Sequence, residues 1–283
     1  MKIFKEIRPL KAFLSQEKKL EKSIGLVPTM GALHSGHRSL LKACQSENDL
    51  SVCSVFVNPE QFNNPEDLEK YPRTPDLDSQ LLKEWGCDVL FSPEKEEMYE
   101  SAPLVSIGFG VLEQEMEGKF RPGHFSGVAL AVSKLFNIVE PNRAYFGQKD
   151  WQQYAIIRQL VRELKFNVQL HCVATLREPD GLALSSRNVR LSAAQRQKAA
   201  CFYKALLLAK ELALKGKKCE FIKNEVINFM EKEGLSLEYF EMADSENLKS
   251  IQSVEDVDHP IFCIAGYVGN VRLIDNLLLN RNL

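Results

Sequence analysis

Short apolar runs alternate with amphipathic stretches through the first two thirds of the chain, and that alternation leaves few folds open. Ile24 to Pro28, Leu50 to Val57, Asp88 to Phe91, Arg143 to Phe146 and Val168 to Val173 read as buried strands. Between them, Arg38 to Glu47, Leu77 to Trp85, Phe125 to Val139 and Trp151 to Leu164 read as helices, with Gly86 ending the second and Pro141 stopping the third. Strands separated by helices of this length form right-handed βαβ units, which build a mainly parallel sheet covered on both faces. Such a sheet binds ligands at the carboxyl ends of its strands.

The texture changes after about residue 178. Ala193 to Lys215 reads as one amphipathic stretch and Glu220 to Lys232 as another, followed by a strand at Leu237 to Met242. Gly269-Asn270, between Tyr267-Val268 and Val271-Arg272-Leu273, is a two-residue hairpin signal. A smaller α+β domain is therefore expected at the C-terminal end. The joint is expected near Glu178-Pro179-Asp180-Gly181, giving domains of residues 1–178 and 179–283.

Charge removes one class of partner. Lys and Arg total 36 against 38 Asp and Glu, for a formal charge of −2. Lys18, Lys19 and Lys22, or Lys217 and Lys218, are too few for an electrostatic footprint on a duplex, so no nucleic-acid partner is expected. The start, Met1 to Glu6, lacks the apolar core of a signal peptide, and no apolar stretch is long enough to cross a bilayer. Seven scattered cysteines without a C-x-x-C pair fit reduced thiols, so a cytoplasmic protein without a membrane partner is expected.

The sharpest local feature is Val27-Pro28-Thr29-Met30-Gly31-Ala32-Leu33-His34-Ser35-Gly36-His37, which links a strand to a helix. Gly31 and Gly36 allow close backbone approach, and the start of the following helix offers unpaired N–H groups and partial positive charge, which together suit a phosphate. His34 and His37, three residues apart, fall on one face of a first helical turn and can donate to charge on phosphate oxygens. H-x-x-H also supplies two zinc ligands, but no third is evident nearby. Buried hydrogen-bonding histidines are the plainest alternative.

Three further segments carry polar groups to the same edge. In Gly147-Gln148-Lys149-Asp150-Trp151-Gln152-Gln153 a strand ends in a charged turn, where Lys149 can neutralise phosphate and Asp150 can hold a ribose hydroxyl or cap the next helix. In Leu184-Ser185-Ser186-Arg187-Asn188 two hydroxyls beside a guanidinium make a mobile clamp for an oxyanion, with a serine-capped linker as the alternative. In Phe56-Val57-Asn58-Pro59-Glu60-Gln61-Phe62 the amides of Asn58 and Gln61 suit a hydroxyl and a carboxylate. Phe120-Arg121-Pro122-Gly123-His124-Phe125 adds a basic turn before a helix.

Taken in order and spacing, these segments, together with Tyr71-Pro72-Arg73-Thr74, resemble the pantothenate synthetase family, ATP-dependent ligases that join pantoate to β-alanine. The resemblance covers nearly the whole chain. It implies a Rossmann-like nucleotidyltransferase domain with a parallel sheet, a smaller C-terminal α+β lid domain, and a homodimer. It implies that His34, His37, Lys149, Ser185, Ser186 and Arg187 contact ATP phosphates and carry catalysis. Gly147 and Asp150 would lie at the nucleoside, Gln61 and Gln153 would hold pantoate, and Pro28 and Met30 would line the pocket. Magnesium would ride on the ATP phosphates without an assigned protein ligand, Asp78 being the one candidate carboxylate. Two departures from the family pattern, Gln148 for a common Glu and Trp151 for a common Tyr or Phe, bear on packing beside Lys149. Nucleotidyl transfer to a phosphorylated acceptor, and non-catalytic nucleotide binding, are the rival functions.

Overall fold

The structure is a computed structural model that describes residues 1–279. Its larger layer contains β1 (Lys2–Phe4), β2 (Ile24–Thr29), β3 (Leu50–Val55), β4 (Val89–Phe91), β5 (Arg143–Gly147) and β6 (Gln169–Val173). They form one parallel sheet in the order β1-β4-β3-β2-β5-β6. The chain leaves β2 toward one edge and returns to start β5 on the other side. The crevice between the carboxyl ends of β2 and β5 is thus the topological switch point where ligands of such sheets bind.

Period-two alternation decides which side each strand residue buries. Ile24, Leu26, Val52, Val89, Phe91, Ala144 and Phe146 face a core built with α1 (Ile7–Lys19), α7 (His124–Val139) and α8 (Trp151–Leu164). Val27, Cys53, Leu90 and Tyr145 face the opposite core, closed by α2 (Ser35–Glu47) and α4 (Pro75–Glu84). Both sheet faces are covered, as the near-continuous apolar strands require.

Short helices α3 (Pro65–Glu69), α5 (Lys95–Met98) and α6 (Met116–Phe120) lie in the long connections, and the sequence patterns did not announce them. The amphipathic stretch expected as a single helix over 193–215 is two, α9 (Ala193–Ala199) and α10 (Cys201–Leu214), separated at Ala200. A capping box of Ser192 and Gln195 starts the first of them. After α11 (Cys219–Lys232) come β7 (Ser236–Asp244), β8 (Pro260–Val268) and β9 (Val271–Leu278), an antiparallel sheet with its own core against α10 and α11. The Gly269-Asn270 hairpin is present, pairing Val268 with Val271. Residues 280–283 of the expected second domain lie outside the described residues.

The two sheets are stitched together. Trp151, 8% exposed, packs beside Met116, Ile261 and Cys263, and its indole N–H donates to the Ser245 carbonyl at 3.1 Å. Arg272 of β9 grips the Glu117 carboxylate of α6 through two bonds, at 2.8 and 2.7 Å. No helix among the described residues is long and apolar enough to cross a membrane.

Candidate active site

At the mouth of β2, α2 starts earlier than apolar periodicity indicates because a histidine caps it. The His34 Nδ1 accepts the Gly36 N–H at 3.1 Å, and the His37 Nδ1 accepts the His34 N–H at 3.2 Å, a capping box made of two imidazoles. Each Nδ1 receives a proton from the backbone and therefore cannot carry its own. Both rings are held as the Nε2–H tautomer, with ring centroids 4.1 Å apart. Burial, with help from Lys149, lowers the His34 pKa to about 4; burial, His34 and Lys149 lower that of His37 to about 3. At neutral pH the pair is uncharged and offers two N–H donors. Gly36 makes room for this, since a Cβ there would lie 2.8 Å from the His34 Cε1.

Asp78, 2% exposed, fixes the loop leading into the cap. Its Oδ2 accepts the Ala32 N–H at 2.9 Å and its Oδ1 the Leu33 N–H at 2.8 Å. Ala32 is held there at φ 50°, a left-handed conformation that an alanine seldom adopts unaided. Both oxygens hold the loop, and Oδ1 also accepts the Thr74 hydroxyl at 3.3 Å, so Asp78 acts as a backbone clamp. Among the described residues no cluster of three or more His, Cys, Asp or Glu is arranged to hold a metal ion.

Lys149 sits in the 3₁₀ turn Gln148–Asp150 that follows β5, with its Nζ 3.8 Å from the Asp150 carboxylate. Facing it, the Ser185 hydroxyl accepts the Arg187 N–H at 3.2 Å and caps a second 3₁₀ turn, Ser186–Arg190. The Arg187 guanidinium lies 3.6 Å from Asp67 of α3, and the half-buried Tyr71 sits against Ser186 and Arg187. The serine clamp is therefore both a capped turn and one wall of the crevice.

The deep end is built by amides. Asn58, 1% exposed, donates to Gln61 Oε1 at 3.2 Å and the Gly127 carbonyl at 3.0 Å, while its Oδ1 accepts from the Tyr99 hydroxyl and the Glu60 N–H. Four bonds saturate that side chain, so Asn58 orients Gln61 and has no polar capacity to spare. The His124 Nδ1–H donates to the Gln61 carbonyl at 2.7 Å, and burial together with Arg121 lowers its pKa to about 4. Gln61 Nε2 points to the Met30 sulfur and Gln153 lines the same wall.

Thirteen residues given site roles from the sequence line one cavity of about 230 Å³: Pro28, Met30, His34, His37, Asn58, Gln61, Gly147, Lys149, Asp150, Gln153, Ser185, Ser186 and Arg187; Arg121 and His124 of the basic turn line a neighbouring one. Sequence reasoning missed Thr175, whose buried hydroxyl has no hydrogen-bond partner among the described residues and which also lines the cavity. Its signal was its place just past β6, beside β5 at the same sheet edge. Cation, neutral donors and amides thus converge on one crevice.

The sequence profile of the pantoate-beta-alanine ligase family matches residues 2–278. The pantothenate synthetase of Cytophaga hutchinsonii is 48% identical over 279 residues, covering 96% of this chain and 97% of its own. That of Bacteroides fragilis is 46% identical over 277 residues, covering 98% of each. The crystal structure of the Thermus thermophilus pantothenate synthetase superposes with a TM-score of 0.91 at 41% identity, over 98% of this chain and 99% of that one. A Francisella tularensis pantoate-beta-alanine ligase, solved in complex with beta-gamma ATP and beta-alanine, gives 0.83 at 37% identity over 98% and 97%. Sequence and fold agree from one end to the other, and the chain belongs to the pantoate-beta-alanine ligase family.

Proposed function

We propose that this chain ligates pantoate to β-alanine at the expense of ATP, in two steps through a pantoyl adenylate. The carrying observation is that two locked Nε2–H donors and the Lys149 ammonium share one crevice with the Gln61 and Gln153 amides. In the first step a pantoate carboxylate oxygen attacks the ATP α-phosphorus and the bond to the bridging oxygen breaks, releasing pyrophosphate. In the second, the β-alanine amine attacks the acyl carbon, AMP leaves with the shared oxygen, and the nitrogen gives up a proton to form the amide.

No protein nucleophile is needed; the residues bind and align. His34, His37, Lys149, Ser185, Ser186 and Arg187 hold the phosphates, and Gly147 and Asp150 meet the nucleoside. Neutral imidazoles suit this task, because they donate to charge that develops on phosphate oxygens without changing protonation. The amides of Gln61 and Gln153 take the polar groups of pantoate, while Phe56, Val128 and Ala131 offer its dimethyl carbon an apolar wall. Pro28 and Met30 close that pocket, and Asn58 acts through Gln61. Magnesium, carried in on the triphosphate, would screen its charge; no protein ligand is assigned to it.

The reading includes a lid role for the Ser185–Arg187 turn and the 179–283 domain, a homodimer, and a cytoplasmic setting in keeping with seven free thiols. The test is incubation with ATP, Mg²⁺, pantoate and β-alanine, omitting one component at a time. AMP and pantothenate should form only in the full mixture, and pyrophosphate should exchange into ATP when pantoate alone is added. A stable dinucleotide-like product would favour transfer to a phosphorylated acceptor; ATP binding without pyrophosphate release would favour a non-catalytic protein.

A further inference from the structure

We propose that Asn276, on the last strand of the C-terminal sheet, is a positioning residue that aims Lys149 at its phosphate. The inference rests on Lys149 being a phosphate contact, as argued above. Alternation along β9 sends Arg272 and Asn276 toward the parallel-sheet domain, while Val271 and Leu273 enter the strand's own core. Asn276 is 3% exposed, and its Nδ2 donates to the carbonyls of Gln148 and Lys149, each at 2.8 Å. Its Oδ1 accepts the Gln148 side-chain N–H at 3.3 Å. One nitrogen thus holds two consecutive carbonyls of the turn that carries the lysine.

Carbonyls fixed on either side of the Lys149 Cα set the backbone torsions of that residue, and with them the direction in which its side chain leaves the backbone. Among the described residues the Lys149 side chain makes one ion pair, the loose 3.8 Å approach to Asp150, on a stem with four rotatable bonds. Asn276 itself is well mounted. The neighbouring Asp275, 4% exposed, takes Arg177 in a two-bond pair at 2.6 and 3.0 Å, and Arg177 also donates to the Asn276 carbonyl at 3.2 Å. The Arg177 guanidinium lies 3.9 Å over the Tyr203 ring, tying the strand to α10. A displacement on the order of 1 Å at a reacting group costs ~10²-fold in rate, so a strut of this kind is worth having.

A double-mutant cycle separates aim from mere packing. Pyrophosphate release is followed in a single turnover with saturating ATP, Mg²⁺ and pantoate for the full-length chain, Asn276→Ala, Lys149→Ala and the double variant. Asn276→Ala should slow release by ~10–100-fold while leaving pantoate affinity within about twofold. In the Lys149→Ala background the same change should matter less than about twofold. Asn276→Asp keeps the shape but sets a carboxylate against two carbonyls, so it should be no faster than Asn276→Ala and should stand in for it if that variant does not fold. Gln148→Ala, which leaves Asn276 in place but loosens its amide, should slow release severalfold only when Lys149 is present. An Asn276 effect that repeats in full without Lys149, or that stays under about threefold with it, overturns the proposal. If Lys149→Ala by itself is within tenfold of the parent, the phosphate contact is what fails, and the two failures are told apart by that single variant.

Discussion

Histidine ordinarily changes charge near neutrality, yet His34 and His37 should stay neutral through that range, because burial sets their pKa values at about 4 and about 3. Unfolding restores a value near 6.5 and takes up protons below it, so stability from the neutral rings is complete above about pH 6.5 and is lost as pH falls toward 4. In His37→Gln, where the amide oxygen can still accept the backbone N–H, the acid limb of a urea-midpoint profile should be shallower. Replacing His37 or Lys149 by Ala should slow adenylation by ~10²–10³-fold, read as single-turnover pyrophosphate release. Less than tenfold would remove that residue from the phosphate site. Asp78→Asn would point an amide N–H at a backbone N–H, costing about 1–3 kcal/mol in a urea titration and slowing adenylation as the loop before His34 shifts.

Among the elements, β2 to β6 and the helices α2, α4, α7 and α8 were legible because both depend on apolar periodicity, whereas α1, whose fully buried side chains are Leu10 and Leu14, was not singled out. The start of α2 was not, since histidine is outside the small group of side chains that usually cap helices. β1 escaped notice because three residues hold no period, and only pairing with β4 makes them a strand. The site was legible as four loops, since each follows a strand that ends at the same sheet edge. What could not be read was who holds whom, such as Asn276 against a turn well over a hundred residues upstream. Close packing gives one element-level prediction. A Cβ on Gly127 of α7 would lie 2.1 Å from the Glu60 carbonyl and 2.7 Å from the Gln61 N, both backbone atoms that cannot step aside cheaply. Gly127→Ala should raise the KM for pantoate through Gln61 and destabilise by about 1–3 kcal/mol in a urea titration. The turn at Ser185–Arg187 should resist limited proteolysis when ATP and pantoate are both present; an unchanged digestion pattern would remove its lid role.

At the scale of the whole molecule, the homodimer is the remaining proposal. Leu104 and Val105 are 100% and 66% exposed, in a segment without strand partners among the described residues. Sedimentation should give twice 32.1 kDa, and Leu104→Asp with Val105→Asp should weaken the pair if that segment lies in the contact; a monomer of the parent chain would end the idea. The imidazole capping box has a wider bearing. For a transition metal to seize both rings, each outward nitrogen would have to surrender its hydrogen to the inward one, which would then press against an amide hydrogen at the head of α2. Metal capture would therefore come at the cost of fraying that helix, and the paired rings are protected from zinc by the same contacts that ready them for an anion.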